Sequence, residues 1–167
     1  MGEQEFRDLV SQYSEPLYWH IRHLVNSHDD ADDLVQETFI KAWKALPTFR
    51  GESSVSTWLW KVATNEALGF LRKQKVRAAL RFEPLGAEVE RLVTSDPWFD
   101  GDEAQRRLVV AVSKLPDKQR AVFCMRYFEE LTYEQISAIT GTSVGALKAS
   151  YHFAVAKVGE SVQLETD

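Results

Sequence analysis

The sequence predicts an all-α protein of two small helical domains joined by a flexible linker, and three observations carry that expectation. Apolar residues recur at three- and four-residue spacing along nearly the whole 167-residue chain, whereas strict apolar alternation is almost absent. One stretch, FEPLGAEVERLVTSDPWFDG, breaks the pattern with Pro84, Gly86, Pro97 and Gly101. Its five acids, Glu83, Glu88, Glu90, Asp96 and Asp100, face only Arg91 and the Arg81 just before it, as suits a solvated connector. With 44% hydrophobic and 27% charged residues, the chain can bury a core and is too aliphatic to stay disordered.

Composition also limits function. A formal net charge of -5 argues against a general nucleic-acid coating protein, although it says nothing of local patches. The single Cys124 cannot form an internal disulfide and fits a reducing compartment. There is no N-terminal basic-then-apolar signal, and no apolar run approaches the ~18–20 residues of a bilayer span, so no membrane span and a cytoplasmic location are expected.

The periodicity predicts helices over Glu3 to Val25, Asp29 to Leu46, Ser54 to Lys75, Asp102 to Leu115 and Asp117 to Glu129, with shorter ones over Thr132 to Thr140 and Ser143 to Glu160. In the second, Ala31, Leu34, Val35, Thr38, Phe39, Ala42 and Leu46 form the core side. Asp33, Gln36, Glu37, Ile40 and Lys44 lie opposite, with Asp32 and Trp43 at an edge. Acids early in a helix complement its positive N-terminus, which accounts for Asp29, Asp30, Asp32 and Asp33 without any function. An outward Ile40 fits a partner surface, though single exposed aliphatics are normal.

The third segment places Val55, Leu59, Val62, Ala63 and Phe70 on one side, with Trp60 on the buried arc, and Trp58, Lys61, Asn65 and Arg72 along a flank. An aromatic plane, an amide and cations in one stripe can stack a base, bond its edge and hold phosphates. A tryptophan at a core margin beside a solvated flank gives the same pattern. The preceding loop, TFRGESSVS, adds Phe49, Arg50, Gly51 and three serines, among them Ser53 and Ser54.

Near the C-terminus, LTYEQISAITGTSVGALKASYHFAVAKV holds a short amphipathic helix with Tyr133, Ile136 and Ile139, a turn at Gly141, and a longer helix with Val144, Leu147, Tyr151, Val155 and Val158 facing inward. This is a helix-turn-helix pattern, whose second helix would enter a DNA major groove; many helical hairpins share the spacing. Phe123 and Cys124 read as apolar filling of the helix before it. Catalytic signatures are missing: there is no Gly-rich phosphate loop after a strand, zinc-protease motif or nucleophile elbow. His20, His23 and His28 precede four aspartates, but no third ligand follows at a recognised metal spacing, so neither a metal nor a cofactor is expected, and no enzymatic activity.

Two runs together carry a family resemblance. DADDLVQETFIKAWKAL followed by FRGESSVSTWLWKVATNEALGFLRK resembles regions 2.2 to 2.4 of the sigma-70 family, and LPDKQRAVFCMRYFEELTYEQISAITGTSVGALK resembles region 4. The short length with a bare linker is similar to the extracytoplasmic-function (ECF) group. The resemblance implies region 2 at 1–79, a linker at 80–101 and region 4 at 102–167. It implies a specificity subunit of bacterial core RNA polymerase that directs the enzyme to promoter DNA, melts the minus-ten element and answers to an anti-sigma factor. Asp32, Asp33, Gln36, Glu37 and Ile40 would then dock on the polymerase clamp. Phe49, Arg50, Ser53, Ser54, Trp58, Lys61 and Asn65 would engage the melted minus-ten strand, with Arg72 and Lys73 on phosphates. Lys118, Arg120, Ser143, Gly145, Ala146, Lys148, Ala149 and His152 would meet the minus-thirty-five duplex. Many relatives carry serine, arginine and a further arginine where this chain has Ala149, Ser150 and Phe153, which implies weaker phosphate anchoring. An ordinary helix-turn-helix regulator with an N-terminal protein-binding module, or an adaptor that retains the fold without DNA, remain the other readings.

Overall fold

The computed structural model describes residues 1–84, 87–95 and 101–166. The helices are α1 (Glu3–Val25), α2 (His28–Ala45), α3 (Val55–Leu80), α4 (Ala87–Ser95), α5 (Glu103–Ser113), α6 (Asp117–Tyr127), α7 (Tyr133–Thr140) and α8 (Val144–Thr166), with a 3-10 turn at Leu46–Thr48. No strand occurs among the described residues.

The N-terminal module packs α1, α2 and α3 against one another. Leu59, Ala63, Ala67 and Leu71 recur every four residues on α3 and are fully buried, and the two alanines let the neighbouring helix axes approach closely. Leu17, Ile21 and Leu24 of α1 and Ala31, Thr38, Phe39 and Ala42 of α2 complete this core. Asn26, in the left-handed region at φ 60°, closes α1, and Ser27 opens α2 by accepting the Asp30 N–H.

The C-terminal module packs α5 and α6 with α7 and α8 around Val112, Phe123, Met125, Ile136, Leu147 and Ala154. Thr132 and Gln135 form a reciprocal capping box at the start of α7, with bonds of 3.1 and 2.8 Å. Gly141 adopts φ 75° at its end, a conformation that L side chains resist, and so sets the turn into α8.

Four differences from the sequence expectations have physical causes. Helix α3 runs to Leu80 instead of Lys75, because VRAAL offers no breaker and the helix stops only where Phe82 turns left-handed ahead of Pro84. A helix, α4, occupies part of the expected linker, since Val89 and Val93 stand four residues apart and bury against α5. Other linker positions, 85–86 and 96–100, lie outside the described residues. On α8 the inward stripe passes through Ala154, fully buried, while Val155 is exposed; a 3.6-residue period admits one of two adjacent residues, and the smaller fits beneath α6.

The fourth difference concerns how the modules meet. Helix α6 packs on both α1 and α3, and α7 packs on α3, so the two cores join into one continuous apolar cluster. Ile136, at the centre of the helix-turn-helix core, is wholly shielded from solvent. Ile136→Ala should therefore cost about 2–5 kcal/mol, read as a fall in the urea midpoint with an unchanged slope.

Candidate nucleic-acid and polymerase interface

The outer face of α2 is built by the helical period itself. Asp32, Asp33, Gln36, Glu37 and Ile40 are all exposed there, and Gln36 Nε2 donates to Asp32 Oδ2 at 3.4 Å. Behind this face Lys41 pairs with Glu66 of α3, whose hydrogen bond raises the lysine pKa. Trp43, half exposed at the edge of the same helix, rests on Phe6 of α1 with ring centroids 4.9 Å apart. The surface is thus an acidic face with an apolar centre on a braced helix.

The flank of α3 holds the second group. Phe49 folds back from the preceding loop and stacks on Trp58 at 4.8 Å, so one indole face is covered and both rings are half-buried. Asn65, Arg72 and Lys73 are exposed and Lys61 is half-buried; Lys61, Asn65 and Arg72 share one flank of α3, with Lys73 at its margin. Arg50 is exposed beside Gly51, which takes φ 71°. Ser53 is half-buried. The Ser54 hydroxyl is engaged as the N-cap of α3, accepting the Thr57 N–H at 3.1 Å and donating to Thr57 Oγ1 at 2.9 Å. Its direct role is therefore to fix where the stripe begins.

In the C-terminal module Gly145, Ala146, Lys148, Ala149 and His152 share the exposed side of α8, a low-relief face with few cations. Ser143 accepts the Ala146 N–H at 3.2 Å and so caps this helix. Lys118 is exposed on α6. Arg120 corrects the sequence reading: it is 2% exposed, on the same face of α6 as Ala121 and Cys124, and cannot reach a duplex from there. Burial lowers its pKa. Cys124 is likewise interior, its thiol pushed up to about 12 by desolvation, which makes it inert as a nucleophile.

Sequence reasoning missed Glu129. Just past the end of α6, its carboxylate accepts from the Trp60 indole N–H at 3.0 Å and from His20 Nδ1 at 2.6 Å. His20 Nε2 meets Thr64 Oγ1 at 2.9 Å. Beside this group His23 stacks on Phe128, centroids 4.4 Å apart and planes within 5°. Trp60 belongs to the junction between modules, which explains why two tryptophans stand one residue apart: Trp58 faces the stripe and Trp60 the partner module. The signal that could have found Glu129 is His20 itself, which falls in register with Leu17, Ile21 and Leu24 and needs a buried partner. Of the three histidines weighed for a metal, His28 meets Tyr18 Oη at 2.7 Å, and no metal-holding cluster occurs among the described residues.

The chain thus joins a helical module, with an acidic face on α2 and a cationic, aromatic flank on α3, to a helix-turn-helix module. Residues 9–77 match Sigma-70 region 2 and residues 105–158 match Sigma-70, region 4. The chain is 30% identical over 160 residues to ECF RNA polymerase sigma factor SigW of Bacillus subtilis, covering 90% of this chain and 86% of that one. It is 31% identical over 172 residues to the ECF RNA polymerase sigma-E factor of Escherichia coli K12, covering 97% and 89%. Two solved structures share the fold. One is the sigma factor RpoE in complex with the anti-sigma factor NepR from Bartonella quintana, with TM-score 0.68, 23% identity, and 96% of this chain and 98% of that chain covered. The other is CnrH in complex with the cytosolic domain of CnrY, with TM-score 0.65, 24% identity, and 99% and 91% covered. The chain belongs to the ECF sigma factors of the sigma-70 family.

The junction generates a pH prediction. Burial holds the His23 pKa below its ordinary 6.5, against the opposing charge of Glu129 and with His20 and Arg22 reinforcing the drop. The folded state then binds fewer protons than the unfolded chain, so His23 contributes stability above pH 6.5 that is lost as pH falls through its lowered folded value. Between pH 7.5 and 5 the melting temperature of the parent should fall more than that of His23→Phe, which keeps the stack and cannot titrate; scanning calorimetry across that range reads the difference.

Proposed function

We propose that this sigma factor directs core RNA polymerase to promoters through three surfaces: the outer face of α2 for the polymerase clamp, the α3 stripe for the melted minus-ten strand and the exposed side of α8 for the minus-thirty-five duplex. The observation that carries the residue assignment is the α3 stripe, where Trp58, Lys61, Asn65 and Arg72 share one flank with Lys73 at its margin, while Ser54 and the Phe49–Trp58 stack fix its upstream end. Unstacked bases captured on such a stripe offset the cost of breaking base pairs, so opening needs no nucleotide hydrolysis by this chain. The protein acts as a specificity subunit in the cytoplasm, where polymerase works, and no helix among the described residues is long and apolar enough to cross a membrane. An anti-sigma factor is proposed as a further partner, since two proteins of similar fold are described in complex with NepR and with the cytosolic domain of CnrY.

The docked junction bears on how both elements are read. About 25 base pairs at 3.4 Å each separate them by roughly 85 Å, whereas a compact chain of this length has a radius of gyration of about 15 Å. Simultaneous reading therefore requires the Glu129 junction to open on the polymerase.

Run-off transcription with purified core enzyme tests the whole reading, and two variants divide it. Asp33→Lys with Glu37→Lys should lower core-enzyme affinity about tenfold or more, with unchanged helicity because both side chains are exposed; retention of core enzyme equal to the parent's would remove α2 from the docking role. Asn65→Ala should leave closed-complex binding within about twofold while reducing permanganate reactivity of minus-ten thymines about tenfold, as expected when an amide that meets a base only after unstacking is lost.

A further inference from the structure

Arg120 presents a physical problem that neither module solves. It is 2% exposed, and its Nε and Nη2 have no hydrogen-bond partner. Taking a guanidinium out of water costs several kcal/mol unless an anion and hydrogen bonds compensate. The charge of Asp117, one turn earlier, partly offsets that burial, but no hydrogen bond joins it to the guanidinium, and its Oδ1 lies 2.5 Å from the Lys75 ammonium of α3. The group one turn later is the neutral thiol of Cys124.

Arg120 borders a cavity of about 230 Å3 between α3, α5, α6 and the segment leading into α4. Lys75 and Gln74 also line it, Leu71 and Val89 supply apolar wall, and Ser113 Oγ is already donating to the Val110 carbonyl at 2.6 Å. Among the described residues that line it, the acid is Glu83, engaged by Arg81 at 3.5 Å and Arg91 at 3.4 Å. At about 30 Å3 per water the space takes several waters or one tetrahedral oxyanion with part of its hydration. We propose that this cavity is a binding site for a small oxyanion of the phosphate class, held by the Arg120 guanidinium and Lys75 ammonium with the Gln74 amide as a further donor. Arginine favours phosphate because its planar fork matches two oxygens at once. The walls belong to both modules, so an occupied site ties α3 to α5 and α6 and favours the docked arrangement over the open one. The site goes beyond the promoter-reading role and its existence does not depend on that role.

The test uses the full chain without polymerase or DNA, so its outcome is separate from that of the transcription assays. Isothermal titration with inorganic phosphate, pyrophosphate and ADP, in chloride buffer of matched ionic strength, should give saturable binding at one site for at least one of them. That ligand at about a hundred times its Kd should raise the melting temperature by about 5 °C or more. Pyrophosphate tighter than ADP assigns the site to free oxyanions, and the reverse order assigns it to a nucleotide phosphate. Arg120→Met, close in length and uncharged, should lose about tenfold or more in affinity; if it fails to fold by circular dichroism, Lys75→Met serves in its place, with a loss of about threefold or more. Absence of saturable binding for all three ligands, or binding by the folded variant equal to the parent's, overturns the proposal.

Discussion

The carboxylate of Glu129 is the constraint on which the arrangement of this molecule depends. It is 14% exposed at its side chain and bonds two groups from the other module, one on each oxygen. A carboxylate taken out of water is costly unless its lone pairs are satisfied, and the imidazole and indole donors satisfy them. The dependence runs both ways. Without the acid, Nδ1 of a fully buried imidazole and the Trp60 indole N–H would each lose the partner they have here, and an unmet buried polar group costs more than a made bond gains. Polar groups that satisfy one another across a junction define a single relative placement of two helical modules, where apolar packing alone would tolerate sliding.

That placement divides α3 into three sides. Leu59, Ala63, Ala67 and Leu71 face α1 and α2, while Trp60 faces the helix-turn-helix module through Glu129. The flank with Asn65 and Arg72 stays exposed. One helix thus serves as a structural spine, as the seat of the partner module and as the minus-ten reader in the proposed function. A change of phase along α3 would move all three sides together.

Much of this was legible in the sequence because it is written in local spacing. Helix identity, the acidic face of α2, the α3 stripe and the turn at Gly141 all follow from residues three or four apart, or from a glycine needing a left-handed backbone. The Glu129 junction was not legible, because it joins residues 109 and 69 positions apart and no local period encodes such a pairing. Arg120 was misassigned for a related reason: cations are usually solvent-facing, and that prior outweighed its register with Ala121 and Cys124. Ser54 and Ser143 were placed correctly at their elements, but their hydroxyls serve the backbone as caps. Val155 failed by one residue, the margin at which a helical period ceases to discriminate between neighbours.

Helix α4 changes how far the two modules can part. Nine residues wound at about 1.5 Å each span about 13 Å, while the same residues drawn out cover about 30 Å. What holds them wound is chiefly the burial of Val89 and Val93, a small apolar area in a helix too short to persist alone in water. The connector is therefore a coil of stored chain, released by pulling two valines from their seat on α5. Its length is set by whether that seat is occupied, so the span available between promoter elements is a property of packing as much as of residue count.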